Sequence, residues 1–333
     1  MSGSWSAIFG DAAGKLGQMG LVVLVVFGVL LIVFFAAGRA TGRFQKPVAL
    51  LVFLGPAVLL ILAGLLFPAF RTIYLSLRDA NGVKFVSGDN YAWVFTDPAM
   101  RQVLVNTVLW IVIAPLASTA FGLTLALLSD QMHSRAESIT KSLIFMPMAI
   151  SFVGASIIWK FVYEYRDPAQ PQIGLLNQVA IALGWDNPPN WLLTQPLNTF
   201  LLMVIMIWVQ TGFAMVVLSA AIKAIPGDVV EAASLDGATG WRLFRTVTIP
   251  MIRGTLVVVI TTIMIAVLKI FDIVRTMTGG NFGTSVLANE MFSQTFVQAN
   301  SGYGSALAVV LFLGVVPLIF YNVHVLRQER TVR

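Results

Sequence analysis

The sequence predicts an all-α, polytopic membrane protein of about seven transmembrane helices, and three observations carry that expectation. Hydrophobic residues make up 58% of the 333 residues and charged residues only 11%, against about 25% charged in soluble domains. The apolar residues gather into runs close to the roughly 20 residues that cross about 30 Å of hydrocarbon. Between the runs, basic connections alternate with longer ones rich in Gly, Pro, Asn and aromatics, the asymmetry of cytoplasmic and external loops. A membrane-spanning barrel would show segments of about ten residues alternating apolar with polar, and no part of the chain is patterned that way.

Taken in order, the first run is Gly17–Gly38. It exceeds the 7–15-residue core typical of a signal peptide, so it is expected to be a retained helix, although "FFAAGRA" resembles a cleavage site and leaves a cleaved signal open. "GRATGRFQK" follows with Arg39, Arg43 and Lys46, a cytoplasmic linker that closes an N-terminal region 1–46 and opens a main domain over 47–333. Its runs are Pro47–Phe70, Val103–Leu128, Ile139–Tyr163, Thr199–Ile222, Thr255–Val274 and Ser305–Val325. The basic connections are "DQMHSRAESITK" with Arg135 and Lys141, residues 224–254 with Arg242, Arg245 and Arg253, and the tail with Arg327, Arg330 and Arg333. The outward set is Arg71–Gln102, Glu164–Asn198 and Arg275–Gly304. Positive-inside logic then puts the N-terminus outside and the C-terminus in the cytoplasm.

The composition excludes other classes. A net charge of +6 does not imply nucleic acid, because the basic residues lie in short clusters between apolar runs. With no cysteine and two histidines, no disulfide framework, thiolate metal site or histidine cluster can form. The spans carry no convergent nucleophile and base, so an intramembrane enzyme is not supported. A secondary transporter or channel is the alternative of a different class, and it is disfavoured because the two halves show no matching broken helices.

One cytoplasmic connection, Ala224 to Gly254, is unusually long and polar. "AIPGD" supplies a turn, and Asp228 is placed to cap a helix. That helix is expected to reach Asp236, break at Gly237 and resume as a short amphipathic stretch with Trp241, Phe244 and Val247 on one side. The residues alone leave open whether this is a hairpin packed beneath the membrane or a docking element.

A resemblance bears on that choice. "EAA", three residues, "G", nine residues, then "VTIP" resembles the EAA loop of bacterial ATP-binding-cassette importer permeases. The outer stretch "YLSLRDANGVKFVSGDNYAWVFTDP", "FDIVRTMTGGN" and "GYGSALAVVLF" resemble segments of the carbohydrate branch of that family, its maltose and α-glucoside permeases, over roughly Val48 to the C-terminus. The resemblance implies a type I importer permease core of six helices plus one N-terminal helix, working by alternating access. It implies ATPase-coupling roles for Glu231, Ala232, Ala233, Asp236, Gly237 and Pro250. It also implies partners: a second permease subunit, two ATP-binding subunits holding ATP and Mg, an external sugar-binding protein and the lipid bilayer. No G-x-x-x-x-G-K-[ST] phosphate loop occurs in the chain, so hydrolysis is expected on those partners rather than here.

Substrate contacts are sought among polar and aromatic groups inside spans, since lipid exposure of ionisable groups costs several kcal/mol by most scales. Lys269 and Asp272 stand one turn apart and are candidates, with a mutual ion pair or snorkelling as the competing reading. "IWVQTGF" offers Trp208, Gln210 and Phe213, and interhelical hydrogen bonding competes for Gln210. Ile263, Val267 and Ile270 occupy positions where the maltose branch carries polar groups, which suggests one apolar wall.

Overall fold

The computed structural model describes residues 45–332 other than 168–169, with isolated helical positions between 17 and 35. The first expected span is described only at those isolated positions; Arg39, Arg43 and Arg333, and the side chains of Lys46, Arg327 and Arg330, fall outside the described residues. The chain divides into two units, residues 1–71 and 72–333. All regular structure among the described residues is helical. Outside helices there is one bridge, Arg78 to Phe85, in a turn where the Asp79 carboxylate accepts from the Val83 and Lys84 amides at 2.7 and 3.1 Å. Those amides hold the Asp79 pKa below its ordinary value.

α1 (Gln45–Ile61), in the first unit, runs through a π turn, Leu62–Leu66, into α2 (Phe67–Leu75), within which the division after Arg71 falls. The π turn directly precedes Pro68, whose i−4 residue is Gly64. Proline removes one donor and crowds the carbonyl four residues back, which a widened turn accommodates.

The second unit contains α3 (Asp89–Thr96), α4 (Pro98–Ser129), α5 (Ser134–Phe145), α6 (Phe152–Val162), α7 (Leu175–Ala182), α8 (Leu197–Lys223), α9 (Gly227–Leu235), α10 (Gly240–Leu243), α11 (Ile249–Leu268), α12 (Asp272–Met277), α13 (Leu287–Phe292) and α14 (Ser301–Val332). Among the described residues, five helices are long and apolar enough to span: Phe53–Leu75, Pro98–Ser129, Leu197–Lys223, Gly240–Leu268 and Ser301–Val323.

Two expected spans differ from the sequence reading. Ile139–Tyr163 is not one rod: α5 and α6 meet at 102°. Pro147 sits in a 3-10 turn, and the Ser151 hydroxyl accepts from the Gly154 amide at 3.1 Å, so the helix ends and is capped anew. The run Thr255–Val274 also breaks, with α11 ending at Leu268 and α12 starting at Asp272.

The core lies where α4, α8 and α11 meet, and α4 against α8 is the most extensive helix pair. Trp110 and Ala114 of α4, Leu202, Met206 and Met215 of α8, and Val259 and Ile263 of α11 are all buried there. Close approach is set by glycine. A Cβ on Gly122 would lie 2.5 Å from the Ala214 Cβ, and one on Gly212 would lie 2.5 Å from the Ile144 carbonyl oxygen. Small residues at such crossings let backbones touch where lipid supplies no hydrophobic drive. Ile263, Val267 and Ile270 belong to this core, so they do not form the apolar pocket wall suggested by the sequence.

Candidate coupling segment and transport path

The candidate coupling segment is built from the end of α8 onward. Lys223 closes α8, Pro226 turns the chain, and α9 begins at Gly227. Asp228 was expected to cap this helix; it lies instead within the first turn, and no side chain caps α9. A carboxylate there still complements the positive end of the helix.

The C-terminal end of α9 is closed by backbone geometry. The Ala238 amide donates to the Ala233 carbonyl at 2.9 Å and the Gly237 amide to the Ser234 carbonyl at 3.0 Å, with Gly237 at φ +80°. Those two bonds and a left-handed residue define a Schellman closure, which satisfies carbonyls that the helix would otherwise leave open. Gly237 is thus required for its conformation, as the sequence predicted of a break.

The second stretch differs from expectation. α10 does not end as a separate short helix; it passes through a π turn, Phe244–Thr248, into α11. The Ile249 amide donates to the Phe244 carbonyl, and Pro250 follows, as Pro68 follows the first π turn. Trp241 and Phe244 rings lie 5.0 Å apart. Glu231, Ala232, Asp236, Gly237 and Pro250 are exposed and Ala233 is half-buried. Leu235 is 85% and Trp241 73% exposed, so this polar segment also displays large apolar groups.

The sequence reading missed what anchors the segment. Lys141 of α5 donates to Asp130 at 2.7 Å and to Glu137 at 2.6 Å, and it also reaches Ser219 of α8. Ser219 donates to Asp130 at 2.7 Å, and Lys223 pairs with Glu137. The end of α8 is therefore clamped to the α4–α5 corner immediately before the chain enters α9. The Glu137–Lys141 spacing of four was a legible signal for a helical pair.

The substrate candidates do not converge. Along a regular helix Gln210 and Phe213 share one face while Trp208 points to the opposite one. Trp208 packs edge-on against Trp159 at 5.8 Å, and Trp159 in turn tilts against Tyr163. Gln210 is 9% exposed and makes no hydrogen bond among the described residues, so the interhelical partner considered for it is not found among them. The anticipated Lys269–Asp272 ion pair is absent among the described residues. The helix breaks between the two: Lys269 closes α11 and is exposed, whereas Asp272 opens α12. A broken helix at such a place is itself a feature of transport paths, because unwound backbone needs polar surroundings.

The stretch just after "TGGN", residues 282–285, is fixed from two spans. The Asn106 amide of α4 donates to the Gly283 and Ser285 carbonyls at 2.6 and 2.9 Å, and Asn198 of α8 donates to the Phe282 carbonyl at 2.8 Å.

Comparison with known proteins agrees with this architecture. Residues 118–331 match the family described as binding-protein-dependent transport system inner membrane component. The osmoprotective compounds uptake permease protein GgtC of Synechocystis is 49% identical over 282 residues, covering 85% of this chain and 100% of that protein. The α-glucoside transport system permease protein AglF of Rhizobium meliloti is 46% identical over 297 residues, covering 89% of this chain and 88% of its own. Among solved structures, a subunit of a bacterial ABC transporter that imports alginate superposes with a TM-score of 0.72 at 19% identity, covering 86% of this chain and 97% of that one.

Proposed function

The chain belongs to the family of binding-protein-dependent transport system inner membrane components, and on that premise we propose that it carries an α-glucoside or a similarly hydroxyl-rich, uncharged solute by alternating access. It is a multi-pass inner-membrane permease subunit of an ABC importer. Support for the cargo comes from two relatives, AglF and GgtC, that match most of the chain at 46% and 49% identity. Gln210, whose amide has no hydrogen-bond partner among the described residues, and Lys269 with Asp272 at the α11–α12 break are the polar groups best placed to meet a solute, with Phe213 on the Gln210 face lending apolar contact, whereas Trp208 turns away to pack on Trp159.

In this reading ATP is hydrolysed on two separate ATP-binding subunits, and residues 224–254 are where their movement enters the membrane. The observation that carries it is the exposure of Leu235 and Trp241 beside Glu231 on a segment whose root is locked to α4 and α5. Burying those apolar groups against a partner removes them from water, while Ala232 and Ala233 permit close approach. Glu231 offers a carboxylate to a basic group of that partner. The termini are read as N outside and C cytoplasmic from the basic connections. A second permease subunit and an external solute-binding protein complete the assembly.

The test is ATP-dependent uptake of radiolabelled maltose and trehalose into vesicles holding the whole transporter, comparing the native chain with Glu231→Lys and Gly237→Asp. Loss of uptake, with the permease pair still assembled, is expected. Uptake that ignores ATP and both changes would sink the reading.

A further inference from the structure

At the end of the second unit opposite the coupling segment lies a cavity of about 300 Å³. α4 connects the two ends: its 32 residues start beside the cavity at Pro98 and finish at Ser129, next to the Asp130 clamp. At 1.5 Å per residue that is about 48 Å, more than the hydrocarbon thickness, so the cavity opens toward water. Its wall is formed by Trp93, Asp97, Glu290, Gln294, Asn300 and Tyr303, among others.

The unmet chemistry of that wall is one-sided. Asp97 uses Oδ1 to cap α4, accepting from the Ala99 and Met100 amides at 2.9 and 3.1 Å, which leaves Oδ2 unused. Glu290 accepts at Oε1 from the Gln294 amide at 2.8 Å, and its Oε2 has only a long contact of 3.4 Å from the Ser285 hydroxyl. No basic side chain among the described residues lies within ion-pair distance of either carboxylate. Gln294 is 6% exposed, and its Oε1 is buried with no donor. Carboxylate oxygens and a buried amide oxygen all call for donors, and a buried acceptor left unmet costs free energy. Beside them Trp93 and Tyr303 stack in parallel, centroids 4.0 Å apart and planes within 4°, a platform whose faces attract cations.

We propose that this cavity receives a single alkyl-guanidinium or alkyl-ammonium group, delivered as an arginine or lysine side chain of a protein partner on the outer side. A cation brings several donors and no acceptor, and so complements the wall, whereas a sugar brings more acceptor lone pairs than O–H donors and leaves two negative charges unopposed. A volume of about 300 Å³ admits one side chain and not a folded segment. Only the source of the side chain rests on the binding-protein-dependent reading; the ligand chemistry stands on the cavity itself.

The experiment is saturation-transfer NMR on the full chain, with its second permease and ATP-binding subunits but without the solute-binding protein, in lipid nanodiscs. The probes are N-acetyl-arginine amide, its uncharged analogue N-acetyl-citrulline amide, and methyl α-glucopyranoside. Expected are transfer to the arginine probe alone, weakening with salt, and a loss of affinity of roughly tenfold or more in Trp93→Ala and in Glu290→Gln. Equal unfolding midpoints for Glu290→Gln and the native chain separate lost recognition from lost structure. Absence of transfer, equal transfer to the citrulline probe, preference for the glucoside, or indifference to both variants overturns the cation site. Adding the solute-binding protein is expected to displace the arginine probe, and failure to displace it overturns the proposed source. Sugar uptake by the native transporter is measured separately, so a null result here leaves the transport reading standing.

Discussion

Replacing Gly237 separates conformation from contact. Its φ of +80° lies in the left-handed region, and a Cβ added there meets no heavy atom within 4 Å. The whole penalty of a side chain is therefore backbone strain, about 1–2 kcal/mol for an ordinary L-residue. Asparagine tolerates this region, and β-branched residues tolerate it least. Relaxing the strain opens the Ala238-to-Ala233 bond and swings α9 away from α10. The population with the Schellman closure then falls by about 5- to 30-fold for alanine, the factor that corresponds to 1–2 kcal/mol. Affinity for the ATP-binding subunits, measured by titrating them onto nanodisc-held permease pairs, is expected to rank Gly, then Asn, then Ala, then Val. Stimulated ATP hydrolysis should follow the same order. Valine binding as tightly as asparagine would refute the conformational account, because nothing near the site offers valine a compensating contact.

Other outcomes follow from the anchor and the helix crossings. Lys141→Met strips Asp130 and Glu137 of a shared partner in a cluster whose side chains are 14–17% exposed, so the unfolding midpoint of the assembled transporter should drop. Lys223→Met, whose side chain is 51% exposed, should move it less; the reverse order would show that the clamp is centred on Lys223. Gly212→Val forces a side chain against the Ile144 carbonyl at the α5–α8 crossing and is expected to cost about 1–3 kcal/mol. Gly64→Ala, with open space at its Cβ, should leave the midpoint unchanged, and thermal unfolding in nanodiscs compares the two.

The long apolar rods were legible because span length is a physical threshold that composition alone can meet. Glycine at 237 was legible too, since a helix followed by a sharp turn needs a residue free to adopt positive φ. The helix breaks were not. Both breaks fall inside apolar runs long enough to read as single spans, and only Pro147 with the Ser151 cap, or the loss of regular backbone after Leu268, marks them. The clamp escaped for another reason: Asp130 and Ser219 are 89 positions apart, and nothing local to either announces the other. The candidate solute residues were chosen by type, and helix phase then sent Trp208 one way and Gln210 the other.

The π turn at Phe244–Thr248 has a geometric consequence for how one rod can serve two surroundings. Trp241 and Ile252 stand 11 positions apart, and in an unbroken α-helix, advancing about 100° per residue, they would share a face. Trp241 is 73% exposed and Ile252 2%. The extra residue in the widened turn shifts the phase by about 100°, so the two ends of the rod present different azimuths. A push received at the Trp241 end thus arrives at α11 off its loaded face, as a twist about the helix axis and not only as a thrust along it.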